Sequence, residues 1–260
     1  MPEHERTMIV TGASSGIGAA LARLAAAAGY RLVVVARRAS RLDELVRSIR
    51  ERGGAAVALA GDVTARELPE KIAGCAIAAF GRLDIVVNNA GAGTFGSLLD
   101  QSDAEIEAQW QLNAAAPLRI ARAALPYLEA SRGQLVFLGS GAARVPLPQY
   151  GAYAAAKAAI RASAIQLRRE LRPLGISVTY VDPGLVDTEF HSSIGIARSN
   201  EIRAADPQRI ARRILRGLAR RAAVVNGVPW QTAGTAAGEW FGTLSDPLVI
   251  SRFSARRSSP

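Results

Sequence analysis

Short apolar runs alternate with longer stretches of helical period along most of the chain. Met8 to Val10, Leu32 to Val35, Val57 to Leu59, Ile85 to Val87, Leu135 to Leu138 and Val178 to Val181 are short, mostly β-branched and apolar at consecutive positions, which predicts strands buried on both faces. Helices are predicted between them, near 16–28, 40–52, 66–79, 103–130, 150–172 and 206–219. A strand apolar on both sides needs a helical layer above and below it. Strand and helix repeated six times require right-handed crossovers between parallel strands. The expectation is an α/β domain with a doubly wound parallel sheet and helices on both faces. No linker, repeat or low-complexity block divides it, so residues 1–225 are read as one domain. The variable segment 226–260 holds Trp230, Trp240 and Phe241 and turns polar from Arg252 to Pro260; it either completes the same domain or frays.

Composition narrows the class without changing this picture. At 260 residues the chain can bury a substantial core, and 49% hydrophobic with 21% charged residues excludes collagen-like, disulfide-scaffold and disordered proteins. A single cysteine, Cys75, cannot form an internal disulfide, and the chain opens on charged residues without a signal-type apolar run. A cytoplasmic, reduced setting is therefore expected. The apolar runs fall short of the roughly 20 residues that cross a bilayer, and membrane association is not expected. The formal charge of +10 would suggest a nucleic-acid partner if its sources were concentrated. They are mostly scattered, and no aromatic residues interleave with Arg37, Arg38 and Arg41, with Arg168, Arg169 and Arg172, or with the arginines of 212–221. The excess is read as solvated helix faces, with no nucleic-acid partner. Only two of the 32 basic residues are lysines, Lys71 and Lys157. A lysine kept in so arginine-rich a chain marks a place where a compact ammonium is wanted.

The first strand runs into Thr11-Gly12-Ala13-Ser14-Ser15-Gly16-Ile17-Gly18 and then an Ala/Leu-rich helix. Glycines there let the backbone approach a pyrophosphate, and the helix N-terminus supplies free N–H donors. The spacing is neither the common Gly-x-Gly-x-x-Gly nor a P-loop. Its place after the first strand of a β-α-β unit is what favours nucleotide binding. About twenty residues on, an acid would select a ribose 2′-hydroxyl and an arginine a 2′-phosphate. Arg37 stands nineteen residues past Gly18 and is followed by Arg38, so NADP(H) is expected over NAD(H).

In the helix 150–172, Tyr153 and Lys157 lie four apart and share a face. A free tyrosine is a poor base at neutral pH, and a nearby ammonium favours its phenolate. Asn113 stands four residues before Pro117. Proline has no N–H to close that helical bond, which would free the Asn113 carbonyl for a water.

These motifs together resemble the short-chain dehydrogenase/reductase family. The resemblance runs through residues 7–190: the glycine turn from Thr11 to Gly18, Asn88-Asn89-Ala90-Gly91 after the fourth strand, Ser140 after the fifth, Tyr153 with Lys157, and Pro183-Gly184 after the sixth. It implies a Rossmann-type fold and an oxidoreductase moving hydride between nicotinamide and a ketone or secondary alcohol. Tyr153 would be the general acid/base, and Lys157 would lower its pKa and hold the nicotinamide ribose. Ser140 would bond the substrate oxygen, and Asn113 would position a relay water. For the cofactor it implies Gly12, Ser14, Ser15, Gly16, Ile17 and Gly18 around the pyrophosphate. Asp62 and Val63 would lie at the adenine, Asn89, Ala90 and Gly91 at its ribose, and Pro183, Gly184, Val186 and Thr188 at the nicotinamide.

The pocket is expected from Gly93 to Phe95, Val145 to Tyr150 and Leu185 to Glu201, with Leu147, Tyr150, Leu185 and Phe190 making it apolar and 189–205 serving as a lid. His4 and His191 are too isolated for a metal site. Val224 to Trp230 replaces the glycine-rich segment that supports tetramers in many family members, so a homodimer is expected. A non-catalytic dinucleotide-binding regulator or scaffold of the same fold is the alternative reading.

Overall fold

The computed structural model describes residues 6–94, 96–190 and 204–253. Seven parallel strands form one sheet in the order β3-β2-β1-β4-β5-β6-β7. They are β1 (Thr7–Thr11), β2 (Arg31–Ala36), β3 (Ala56–Ala60), β4 (Ile85–Asn88), β5 (Gln134–Leu138), β6 (Ser177–Asp182) and β7 (Val224–Asn226). The first six fall where the apolar runs predict them. The seventh is three residues long, too short to show a pattern of its own.

Alternation along each strand explains the two helical layers. Met8, Val10, Leu32 and Val34 face one core with α1 (Gly16–Ala27), α2 (Ala39–Glu51) and α7 (Pro207–Ala219). Ile9, Val33, Val35 and Phe137 face the other, with α3 (Leu68–Phe80), α5 (Ala116–Ser131) and α6 (Gly151–Glu170). In α2 the buried set Leu42, Leu45, Val46 and Ile49 is a single helical stripe. Gly81 ends α3 in the left-handed conformation at φ 73°.

The helix predicted over 103–130 is divided. A capping box of Ser102 and Glu105 starts α4 (Asp103–Trp110), a π-helical turn follows at Gln111–Ala115, and α5 resumes with Pro117 in its first turn. The π turn accommodates a proline whose missing N–H would break a continuous α-helix.

At the opposite end of the sheet from the cleft described below, Asp84 is buried and accepts from the Thr7 backbone N–H at 2.8 Å and from Arg82 at 2.8 and 2.6 Å. Asp84→Ala leaves that buried N–H unpaired and is expected to cost about 1–3 kcal/mol. Urea unfolding would show this as a lower midpoint at unchanged slope.

Beyond β7 the chain forms α8 (Pro229–Phe241), a 3₁₀ turn at Gly242–Ser245 and α9 (Asp246–Phe253). The Glu239 carboxylate pairs α8 with Arg144 and Arg161, each at 2.8 Å.

Candidate active site

The sheet order reverses between β1 and β4. At such a switch point the connections diverge to opposite faces and leave a crevice beyond the strand ends. The crevice here is a cleft of about 2740 Å³ that reaches from the glycine turn to α8.

The glycine turn is built by exclusion. Gly12 has φ +65°, and a Cβ on it would lie 2.8 Å from the Ala90 Cα. A Cβ on Gly18 would lie 2.4 Å from the Gly12 carbonyl oxygen, so Gly18 packs behind the turn rather than lining the cleft. Asn89 holds the turn to β4, its Nδ2 donating to the Thr11 and Gly12 carbonyls at 2.8 and 3.2 Å. The Thr11 hydroxyl accepts the Asn89 and Ala90 N–H groups at 3.0 Å each. The first turn of α1 holds no acid, and Ser15 gives it no side-chain cap. Its leading N–H donors and positive dipole end therefore remain for an anion, the property that a bound pyrophosphate uses.

Arg38 lies against this turn, donating from Nε and Nη2 to the Ser14 hydroxyl at 3.1 and 2.9 Å and from Nη2 to the Ser15 hydroxyl at 2.8 Å. Arg37 lines the same end of the cleft. Asp62 accepts from the Thr64 N–H and hydroxyl at 2.9 and 2.8 Å. That backbone bond is the main force holding its carboxyl below the ordinary range, with Arg37 contributing. Val63 lines the cleft beside it, as do Ala90 and Gly91. On the far wall stand Pro183, Gly184, Val186 and Thr188, the Thr188 methyl 3.0 Å from where a Cβ on Gly16 would stand.

Tyr153, Ser140 and Lys157 come together at the centre of the cleft. Gln101 Oε1 accepts the Ala152 N–H at 2.8 Å, anchoring the first turn of α6, which carries both the tyrosine and the lysine. Tyr153 is buried between Tyr150 and Phe190, with ring centroids at 6.2 and 5.3 Å. Its hydroxyl is near Ser140, whose side chain favours the ionised form. The Ser140 oxygen also accepts the Ala142 N–H at 3.2 Å, and Tyr180 lies on the Ser140 backbone. Lys157 Nζ donates to the Leu138 carbonyl at 2.9 Å and sits 5.7 Å from the Tyr153 ring centroid.

One expectation changes here. Spacing alone suggested that the ammonium would pull the tyrosine pKa down. Lys157 instead lies over the ring, and burial pushes the Tyr153 hydroxyl well above its ordinary value, with Ser140 opposing. Burial also lowers Lys157 to about 8. For Asn113 the expectation concerned its backbone carbonyl, left free for a water by Pro117, and the structure adds the placing of its side chain. It is fully buried, and its Nδ2 donates to the Ala92 carbonyl at 2.8 Å and to Gln109 Oε1 at 3.0 Å. Its Oδ1 has no partner among the described residues and lies 3.0 Å from a Cβ position on Gly91, with Lys157 Nζ 3.4 Å from the same point. The two atoms thus lie near the same point beside Gly91.

The apolar wall is formed by Val145, Leu147, Tyr150, Leu185 and Phe190, and α8 adds Trp230, Gly234 and Gly238. Thr94 instead turns its hydroxyl to Gln109 Nε2 at 3.0 Å. Phe95, His4, His191 and most of the expected lid lie outside the described residues. No cluster suited to a metal occurs among the described ones.

Several contributors carry no motif. Gln109 positions Asn113, and the i, i+4 spacing was its one available signal. Gln231 reaches from α8 to accept the Leu185 N–H at 2.7 Å. Asp182 is buried with its carboxyl pushed up by desolvation, and it accepts the Gly184 N–H at 3.2 Å. Glu189 accepts from Arg38 and Arg41.

Fold and cleft together define a doubly wound protein of the dinucleotide-binding class. Residues 6–198 match the short chain dehydrogenase family, and the chain belongs to that family of NAD(P)-dependent oxidoreductases. It is 37% identical over 189 residues to a short chain dehydrogenase of Pseudocercospora fijiensis, a match spanning 71% of this chain and 61% of that one. Among solved structures, an alcohol dehydrogenase from the archaeon Thermococcus sibiricus, complexed with 5-hydroxy-NADP, superposes at a TM-score of 0.78 with 29% identity. That match covers 85% of this chain and 95% of the other. A short-chain dehydrogenase/reductase from Burkholderia phymatum in complex with NAD superposes over the whole of both chains at 0.84 with 20% identity, which shows the shared fold.

Proposed function

We propose that the protein is an NADP(H)-dependent oxidoreductase that interconverts a ketone and a secondary alcohol, with Tyr153 as general acid/base. The observation that carries this reading is the buried Tyr153, which lines with Ser140 and Lys157 a cleft that ends in a glycine turn. The cleft suits a dinucleotide because the uncapped α1 terminus and Arg38 present donors to phosphate groups. Gly12, Ser14, Ser15, Gly16 and Ile17 would hold the pyrophosphate, Asp62 and Val63 the adenine, and Asn89 to Gly91 its ribose. Pro183, Gly184, Val186 and Thr188 would border the nicotinamide, which supplies or accepts the hydride.

The chain's own residues handle the oxygen. A hydroxyl whose pKa is raised by burial rests protonated, the form that gives a proton to a carbonyl oxygen as charge develops there. Ser140, held by its bond from the Ala142 N–H, can place a second hydrogen bond on that oxygen. Lys157 and the Asn113 amide, both near Gly91, would form the inner route by which Tyr153 regains its proton. The apolar wall from Val145 to Tyr150, with Phe190 and Trp230, excludes water and favours an apolar substrate.

Arg38 supports NADP(H) over NAD(H), since a guanidinium beside Ser14 offers a charge-assisted site to a 2′-phosphate. Fluorescence titration should show tighter binding of NADPH than NADH, and Arg38→Asp should reduce NADPH affinity by about tenfold or more. Preference for NADH would remove the cofactor assignment. Binding of neither by the folded protein would remove the enzyme reading in favour of a scaffold.

A further inference from the structure

The arginines that the cleft offers to an anion already hold one from within the chain. The Glu189 carboxylate accepts from Arg38 Nη1 at 2.8 Å and from Arg41 Nη1 at 2.5 Å. The contact joins the two sides of the cleft, because Arg38 follows β2 and Glu189 follows the loop after β6. The Arg38 and Glu189 side chains are 42% and 51% exposed, so water can replace each partner and the pair opens at little cost. Meanwhile the same guanidinium turns Nε and Nη2 to Ser14 and Ser15, beside the uncapped start of α1.

Carboxylates and phosphate esters are the two anions that a guanidinium fork fits. A phosphate brought to Ser14 and Arg38 would meet the carboxylate already on that cation. Two like charges at about 4 Å repel by about 1 kcal/mol even in bulk water.

We infer that Glu189 is a specificity-determining residue, an internal carboxylate that competes with the cofactor's 2′-phosphate for Arg38 and sets how strongly the site separates NADPH from NADH. The inference rests on Arg38 as the 2′-phosphate ligand. Hydrogen bonds from Arg41 and Arg38 hold the Glu189 carboxyl at about 2, so it stays ionised throughout the working pH range and the competition is constant. Among the groups that face it are Arg38 and Arg41 from the β2–α2 side, and Ser14 and Ser15 of the glycine turn bond Arg38 in turn.

The test is the ratio of dissociation constants, Kd for NADH over Kd for NADPH, measured by fluorescence titration of the full chain. Glu189→Gln should raise the ratio about fivefold, through NADPH, with NADH nearly unchanged. Glu189→Lys should raise it further, because it places a cation where the carboxylate stood. In an Arg38→Asp background the Gln substitution should leave the ratio unmoved, since the shared cation is gone. Both variants alter an exposed side chain, and thermal unfolding confirms that each is folded. A ratio unchanged by Gln and Lys overturns the inference but leaves NADP(H) standing if the parent prefers NADPH and loses that preference with Arg38→Asp. A rise that persists without Arg38 also overturns it. A rise in a parent that prefers NADH supports the inference while correcting the cofactor assignment.

Discussion

Tyr153→Phe should reduce carbonyl turnover by about 10²- to 10⁴-fold, the range associated with losing a positioned acid, while dinucleotide affinity changes little. The substitution deletes one oxygen and leaves the ring between Tyr150 and Phe190, at 6.2 and 5.3 Å, so the wall of the cleft keeps its shape. What disappears is the hydroxyl that burial keeps protonated. Steady-state kcat with a ketone substrate, read beside the cofactor dissociation constant, separates the two effects. A variant turning over at the parent rate would mean that another group delivers the proton.

Lys157→Met should remove activity and, at neutral pH, make the protein more stable. Lys157 is buried, and the described contact of its ammonium is the Leu138 carbonyl at 2.9 Å. A buried cation short of partners is costly to the folded state, which is why its pKa falls to about 8 from about 10.4 in an unfolded chain. The unfolded state therefore binds the proton more tightly. The penalty is fully present below about pH 8, fades between there and about pH 10.4, and is absent above. Methionine carries no such penalty, so its lead in Tm should be largest at pH 7 and shrink as pH rises through that window. Thermal melts of parent and variant at pH 7 and pH 10 measure the difference. A lead that does not change with pH would show that Lys157 is not held as a strained cation. Stability given up at the site where activity resides is a common exchange in enzymes.

The sheet was legible because burial on both faces writes itself into a strand as a continuous apolar run, as in Leu32 to Val35. The six crossover segments were legible because their buried stripes repeat at helical period, as at Leu42, Leu45, Val46 and Ile49. The π turn at Gln111–Ala115 was only half legible: Pro117 announces a broken bond but not how the backbone absorbs it. At the candidate site's centre, Tyr153 and Lys157 could be read from their spacing on one helical face, whereas Ser140 came only with the family resemblance. The site's supports could not be read. Glu189 reaches Arg38 across 151 positions and Gln231 reaches Leu185 across 46, and a polar contact between distant segments leaves no periodic trace in either. The balance of burial against charge at Tyr153 was hidden for a related reason, because it depends on where the Lys157 side chain comes to rest.

The position of α8 bears on the order in which the protein is made. Strands β1 to β4 and the glycine turn are all synthesised before residue 90, whereas Gln231 and Glu239, which tie α8 to Leu185, Arg144 and Arg161, are joined much later. Since domains fold as synthesis proceeds from the N-terminus, the cradle for phosphates can take shape while the wall beside Ser140 has yet to be translated. A nascent chain released before α8 would thus carry the cradle without the part of the cleft lining that Trp230, Gly234 and Gly238 supply, so that side of the cleft closes later than its phosphate end.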